Sequence, residues 1–125
     1  DHPGLSQIGQ ISVTVHDLKK AIAFYRDTLG MKFLFEVPGM ASFDCGGVRL
    51  MLGFPEKPEF DHPASIIYYK VEDIQSTFDA LSSRGVQFES KPHLVAHLQD
   101  HELWMAFFRD VDSNLLALMS EVRHL

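Results

Sequence analysis

The sequence predicts an α+β fold built by duplication, and three observations carry that prediction. The stretch from Gln10 to Phe33, QISVTVHDLKKAIAFYRDTLGMKF, is echoed from Ile66 to Phe88 as IIYYKVEDIQSTFDALSSRGVQF. In both copies an alternating strand runs into an Asp and then an amphipathic helix: Val15-His16-Asp17-Leu18 answers to Val71-Glu72-Asp73-Ile74. In both, a glycine stops the helix and a further strand begins: Gly30-Met31-Lys32-Phe33 answers to Gly85-Val86-Gln87-Phe88. A β–α–β unit this small cannot bury its apolar faces alone, so the two halves are expected to complete each other.

Taken in order, residues Asp1 to Ile8 carry a Pro-Gly turn signal and read as a loose arm. From Gln10 the chain alternates, with Gln10, Ser12 and Thr14 on one face and Ile11, Val13 and Val15 on the other, the period of a half-buried strand. Asp17 is placed to cap the next helix by accepting from its orphan amides. Leu18, Ala21, Ile22, Tyr25 and Leu29 form its apolar stripe, and Gly30 supplies the left-handed residue that ends it. Met31 to Val37 reads as a strand closed by Pro38-Gly39, and Met40 to Cys45 with Val48 to Gly53 as a hairpin turned by Gly46-Gly47. Phe54 to Pro63, with three prolines, several charges and little periodicity, reads as a linker.

The second half begins near Ala64. Ile66, Tyr68 and Lys70 share one strand face, and Ile67, Tyr69 and Val71 the other. Asp73 caps a helix with the stripe Ile74, Phe78 and Leu81, stopped at Gly85; Val86 to Glu89 is expected to be the next strand. His93 to His101 is ambiguous. Leu103 to Arg109 and Leu115 to Ser120 form a closing hairpin around Asp110-Val111-Asp112-Ser113-Asn114. This gives module one over residues 8–54, a linker over 55–63 and module two over 64–121, with two helices and eight strands, the helices packed on one face of mainly antiparallel sheet.

Composition narrows the classes of function. A net charge of −6 without a basic run counts against nucleic acid as a partner. No apolar run reaches the roughly 20 residues a membrane helix needs. No signal-peptide pattern is visible, and a chain opening at Asp1 reads as trimmed. The lone Cys45 leaves no internal disulfide and fits a reducing cytoplasm. A cytoplasmic protein is therefore expected, with a small molecule rather than nucleic acid or membrane as its partner.

The repeated V-x-D-[L/I] entry into A-F-Y-R-D-T-L-G-M, with F-F-R-D-V-D-S-N-L-L near the end, resembles the vicinal oxygen chelate superfamily, which includes glyoxalases, bleomycin-resistance proteins and extradiol dioxygenases. The resemblance covers nearly the whole chain. It implies two βαβββ modules whose sheets curl around a cavity with the helices outside. Fold leaves the chemistry open, so the site is read residue by residue.

Enzymes of that superfamily hold a divalent metal with up to four side chains, two per module. The resemblance places one seven residues before the first helix-capping Asp, at Gln10, and its counterpart at Ile66. It places the other two, usually Glu, in each module's last strand, at Met51 and Ala117. A slip of one or two residues would bring Arg49, Leu50 or Leu52 to the place of Met51 and supplies no carboxylate. A hard cation needs several oxygen or imidazole ligands, and Gln10 alone cannot hold one. No metal or other cofactor is therefore expected, and the site resembles that of the superfamily's metal-free binding proteins.

Strand alternation names the expected cavity neighbours: Ser12, Thr14, Arg49, Tyr68, Lys70 and Met119 beside Gln10, Met51, Ile66 and Ala117. Arg49 and Lys70 could meet an anionic group or end in solvent, and Tyr68 could stack on a ligand or pack in the core. Met51 and Met119 could equally be core filler. Trp104 could wall the pocket or join the core. His93, His97 and His101 are four apart, a spacing that on a helix would put them on one face, as zinc ligands or as a solvated flap. His101 or Glu102 could act as a general base at the cavity mouth. Two readings follow: a metal-independent binding protein for an apolar or aromatic molecule, and a glyoxalase-like lyase, isomerase or dioxygenase-type enzyme. The enzyme would work through a non-standard metal site or through His101, Glu102 or Tyr68. A homodimer is expected in either case.

Overall fold

The computed structural model describes residues 4–123. The turn expected at Pro3-Gly4 lies partly outside them. The chain divides into two compact units between Pro63 and Ala64. Each has the element order strand, helix, three strands, and each strand set forms a four-stranded mixed sheet, so the fold is α+β.

In the first unit the strands are β1 (Gln10–Thr14), β2 (Lys32–Val37), β3 (Met40–Cys45) and β4 (Val48–Gly53). Their order is β1-β4-β3-β2, with β1 parallel to β4 and the other pairs antiparallel. The β3–β4 turn is tight because Gly46 and Gly47 both take positive φ, 61° and 89°, which side chains with a Cβ resist. Helix α1 (Leu18–Ala23) starts where the Asp17 carboxylate accepts from the Lys20 amide. The expected stripe is buried at Leu18, Ala21, Ile22 and Tyr25. These residues cover the sheet face formed by Val13, Val15, Ala41, Phe43, Leu50 and Leu52, with the Tyr25 and Phe43 rings 6.1 Å apart. The helix does not keep its α period to the end. Phe24–Thr28 widens into a π-helical turn, with the Leu29 amide donating to the Phe24 carbonyl at 2.9 Å. Gly30, at φ 74°, then turns the chain into β2.

In the second unit the strands are β5 (Ile67–Lys70), β6 (His93–His97), β7 (His101–Arg109) and β8 (Leu115–Arg123), in the order β5-β8-β7-β6. Helix α2 (Ile74–Ser83) is capped by the Asp73 carboxylate on the Ser76 amide and lies against β7 and β8. Its apolar stripe meets Val86, Ala106, Phe108, Leu116 and Leu118, and Phe88 bridges Phe78 and Phe108 with ring separations of 4.5 and 5.1 Å.

One expectation is corrected here, and one ambiguous stretch takes a definite form. Val86–Glu89 is not a strand of the sheet; it makes a single bridge, Phe88 to Phe108, because Phe88 is drawn down between Phe78 and Phe108. The strand that completes the sheet is instead His93–His97, so the three histidines do not ride on a helix. Alternation there is blurred by a register shift between Leu94 and Ala96, which hides a period of two.

Candidate functional site

Each sheet has one face against its helix and one open face, and strand parity sorts the expected site residues between them. In the first unit Gln10, Ser12 and Thr14 of β1 share the open face with Arg49, Met51 and Gly53 of β4. Their neighbours Val13, Leu50 and Leu52 point to the helix and are buried. Gln10 Nε2 donates to Met51 Sδ at 3.7 Å, so the one amide of the expected metal set is turned onto a thioether. Beside Met51, Ser42 of β3 is fully buried, and its Oγ has no hydrogen-bond partner among the described residues.

A pocket of ≈ 380 Å³ lies on this face, lined by Ser12, Thr14 and Met51 and by Phe54, Phe60 and His62 of the linker, among others. The linker is therefore part of the site. A 3-10 turn at Pro58–Phe60 brings the Phe60 carbonyl to Thr14 Oγ1 at 3.1 Å, and Asp61 Oδ1 pairs with His16 Nε2 at 2.8 Å. Sequence reasoning missed these linker residues because they carry no periodicity. The signal available was two phenylalanines in a segment otherwise rich in proline and charge.

In the second unit the register repeats. Ser12 faces Met51 across β1–β4, and its repeat equivalent Tyr68 faces Ala117 across β5–β8. Ala117 also faces Phe107 on its other side, and the Tyr68 and Phe107 rings meet edge to face at 6.0 Å. Ala117 is left with 0 % exposure, whereas Tyr68 keeps 43 %. His93 stacks on the far side of this pair, 6.5 Å from Phe107 at 27°. Met119 lies next along β8, half-buried, and Ile66 sits just before β5, exposed.

Charged groups gather at one end of this open face. Lys70 Nζ reaches Glu121 Oε1 at 3.0 Å. His101 is held between two carboxylates: Nδ1 is 2.7 Å from Asp100 and Nε2 is 3.7 Å from Glu121. The hydrogen bond from His101 holds the Asp100 carboxyl below its usual range, and the hydrogen bond from Lys70 does the same for Glu121. Lys70 is thus paired rather than ending alone in solvent. Glu121 and Phe107, which do most to shape this face, were not singled out by the sequence.

Trp104 and Glu102 are corrected in position. Both belong to the alternate parity of β7, with the buried Ala106 and Phe108, and so lie on the helix side of the sheet. The Trp104 indole N–H donates to Glu102 Oε1 at 3.2 Å, and Glu102 Oε2 is 3.3 Å from His97 Nδ1. His93, His97 and His101 thus take three different partners: a ring, Glu102 and the Asp100–Glu121 pair. Among the described residues, no three His, Cys, Asp or Glu side chains converge as a metal site would require. The Cys45 thiol is pushed up by burial, and Asp44 adds to the effect, which makes it a poor nucleophile.

The positions where the resemblance would place a metal offer one neutral amide, a thioether, an exposed isoleucine and an alanine sealed under two rings. That donor chemistry does not fit a hard divalent cation.

Two strand–helix–three-strand units with the same strand order define a duplicated α+β fold. The family model for the Glyoxalase/Bleomycin resistance protein/Dioxygenase superfamily matches residues 7–118, and the chain belongs to that superfamily. The uncharacterized protein YraH of Bacillus subtilis (strain 168) is 33% identical over 126 residues, covering 87% of this chain and 94% of YraH. Among solved structures, TnmS3, an antibiotic binding protein from Streptomyces sp. CB03234, superposes with a TM-score of 0.77 at 24% identity, covering 96% of this chain and 99% of TnmS3. A lactoylglutathione lyase from Agrobacterium tumefaciens superposes with a TM-score of 0.76 at 19% identity, covering 94% of this chain and 95% of the lyase. At those identities the structural likenesses establish the fold and leave the chemistry to the site. Among the described residues no helix is long and apolar enough to cross a membrane.

Proposed function

We propose that this protein is a metal-independent small-molecule-binding member of the superfamily, taking an apolar or aromatic ligand on its open sheet faces. The observation that carries the reading is the replacement of ligating side chains. Gln10 is the one oxygen donor among the four positions, beside Met51, and Ala117 lies beneath Tyr68 and Phe107. What these faces offer instead is soft apolar surface with a few neutral polar groups, the make-up of a small-molecule pocket. Met51, Phe54 and Phe60 supply it in the first unit, and Tyr68, Phe107 and His93 in the second. The likeness to an antibiotic binding protein supports the same reading.

Two of the three acid–base candidates, His101 and Glu102, are already engaged. Both ring nitrogens of His101 face carboxylates, and Glu102 is engaged by Trp104 and His97 on the helix side. This favours binding over the lyase, isomerase or dioxygenase-type alternative. We further propose a homodimer in the cytoplasm; the exposed Leu34, Phe35 and Val37 on edge strand β2 support self-association, which light-scattering mass tests.

Thermal-shift screening against a panel of aromatic and thioether-conjugate compounds tests the function. A ligand selective for the folded state raises the midpoint with concentration. The reading expects aromatic members of the panel to do so without added metal. A shift that appears only with a divalent cation, or turnover of methylglyoxal–glutathione or of catechols, contradicts it.

A further inference from the structure

Trp104 lies outside the open face and lines a pocket of its own. The space is ≈ 410 Å³, between the start of α2 and the helix side of β7 and β8, walled by Trp104, Ile74, Pro92 and Val122. Its size suits a small organic molecule. Among the described residues the remaining lining is Glu72, Asp73, Gln75 and Ser120, so every ionisable side chain described on the wall is a carboxylate.

We propose that this pocket is a second binding site, distinct from the open sheet faces, for a small organic cation with an apolar body, such as an arylalkyl ammonium. The indole supplies both apolar area and the best aromatic face for a cation. Glu72 and Asp73 supply the opposite charge at the rim, where they stay in reach of water. Glu102 does not line the pocket; the Trp104 N–H and His97 engage it. Its bond to the indole holds the ring in orientation, and the Ser120 hydroxyl, donating to the Glu72 carbonyl at 3.1 Å, fastens the segment that carries Glu72 to β8. An anion is disfavoured although a helix begins here. The Asp73 carboxylate already occupies that helix end through the Ser76 amide and adds its own negative charge.

Trp104 is the sole tryptophan of the chain, so its fluorescence reports on this pocket directly. The full chain is titrated with 2-phenylethylammonium, 2-phenylethanol and 3-phenylpropionate, which share an aryl body and differ in charge. The expected result is a saturable change in Trp104 emission with the ammonium at about tenfold lower concentration than with the alcohol, the carboxylate being weakest. Glu72→Gln, at an exposed position, is expected to weaken the ammonium several-fold, and Glu72→Lys to turn the preference toward 3-phenylpropionate. Equal responses to ammonium and alcohol, no saturable response, or a preference unmoved by both Glu72 variants would each overturn the proposal. Met51→Glu, on the open face of the other unit, should leave this titration unchanged, so the two sites are tested separately.

Discussion

Gln10 and Met51 meet across the parallel pair β1–β4, with the amide nitrogen 3.7 Å from the thioether sulfur. The bond engages the amide nitrogen, so Gln10 can offer a cation at most one neutral oxygen. Met51 adapts its shape to what lies against it because an unbranched thioether has several rotamers of similar energy. Met51→Leu should therefore cost less than about 1.5 kcal/mol of stability, as volume-conserving swaps do. Met51→Glu should weaken binding of an apolar ligand about tenfold or more, since a carboxylate must be desolvated beside it. Calorimetric titration of both variants with an aromatic hit from the thermal screen checks the pair of outcomes.

Ser42 sits next to Met51 with its hydroxyl buried and unmatched. A polar group in that state costs about 1–3 kcal/mol of desolvation with nothing in return. Ser42→Ala should leave stability unchanged or raise it by about 1 kcal/mol, read from the urea midpoint. A loss above that size would mean the hydroxyl has a partner in solution.

Ala117 has no exposure and lies between Tyr68 and Phe107. Ala117→Glu must bury a carboxylate or break the edge-to-face pair, and should cost about 3 kcal/mol or more. Tyr68→Ala is the milder change. It loses about 1 kcal/mol from the ring pair, because the ring is already partly in water, but should abolish the shift produced by an aromatic ligand stacking there. Chemical denaturation and thermal shift, run side by side, separate the two effects.

The sequence made the scaffold legible for a definite reason. Asp17 and Asp73 both cap helices, Gly30 and Gly85 both take positive φ, and the apolar stripes face their sheets, because these signals are local and recur in both copies. Phe88 shows where locality fails: its tertiary contacts with Phe78 and Phe108 outweigh the strand pattern around it. Trp104 shows the same for the site. A register of nine paired residues between β7 and β8 decides its face, and a hairpin offset by one residue would have pointed it the other way. The pairings of His97 with Glu102 and of Lys70 with Glu121 join residues on different strands, so they too were invisible before the register was known.

Acid should loosen the charged end of the second sheet. Asp100 and Glu121 have carboxyls lowered in the folded state by hydrogen bonds from His101 and Lys70 respectively. A lowered folded value adds stability that is complete above the ordinary carboxylate range and is lost as pH falls through the lowered value. Both groups are exposed, so the contribution is small and screened by salt. Lys70→Met should make the fall in urea midpoint between about pH 5 and pH 3 shallower than in the parent protein, and more clearly so at low ionic strength.

On the proposed function, the scaffold has exchanged metal ligands for apolar and aromatic surface. Elemental analysis of tag-free protein purified without chelator, in parallel for the parent chain and Gln10→Ala, tests it most directly. Only trace Mn, Fe, Ni and Zn is expected in both, with the aromatic-ligand thermal shift intact in the parent. Stoichiometric metal in the parent chain that Gln10→Ala removes would contradict it.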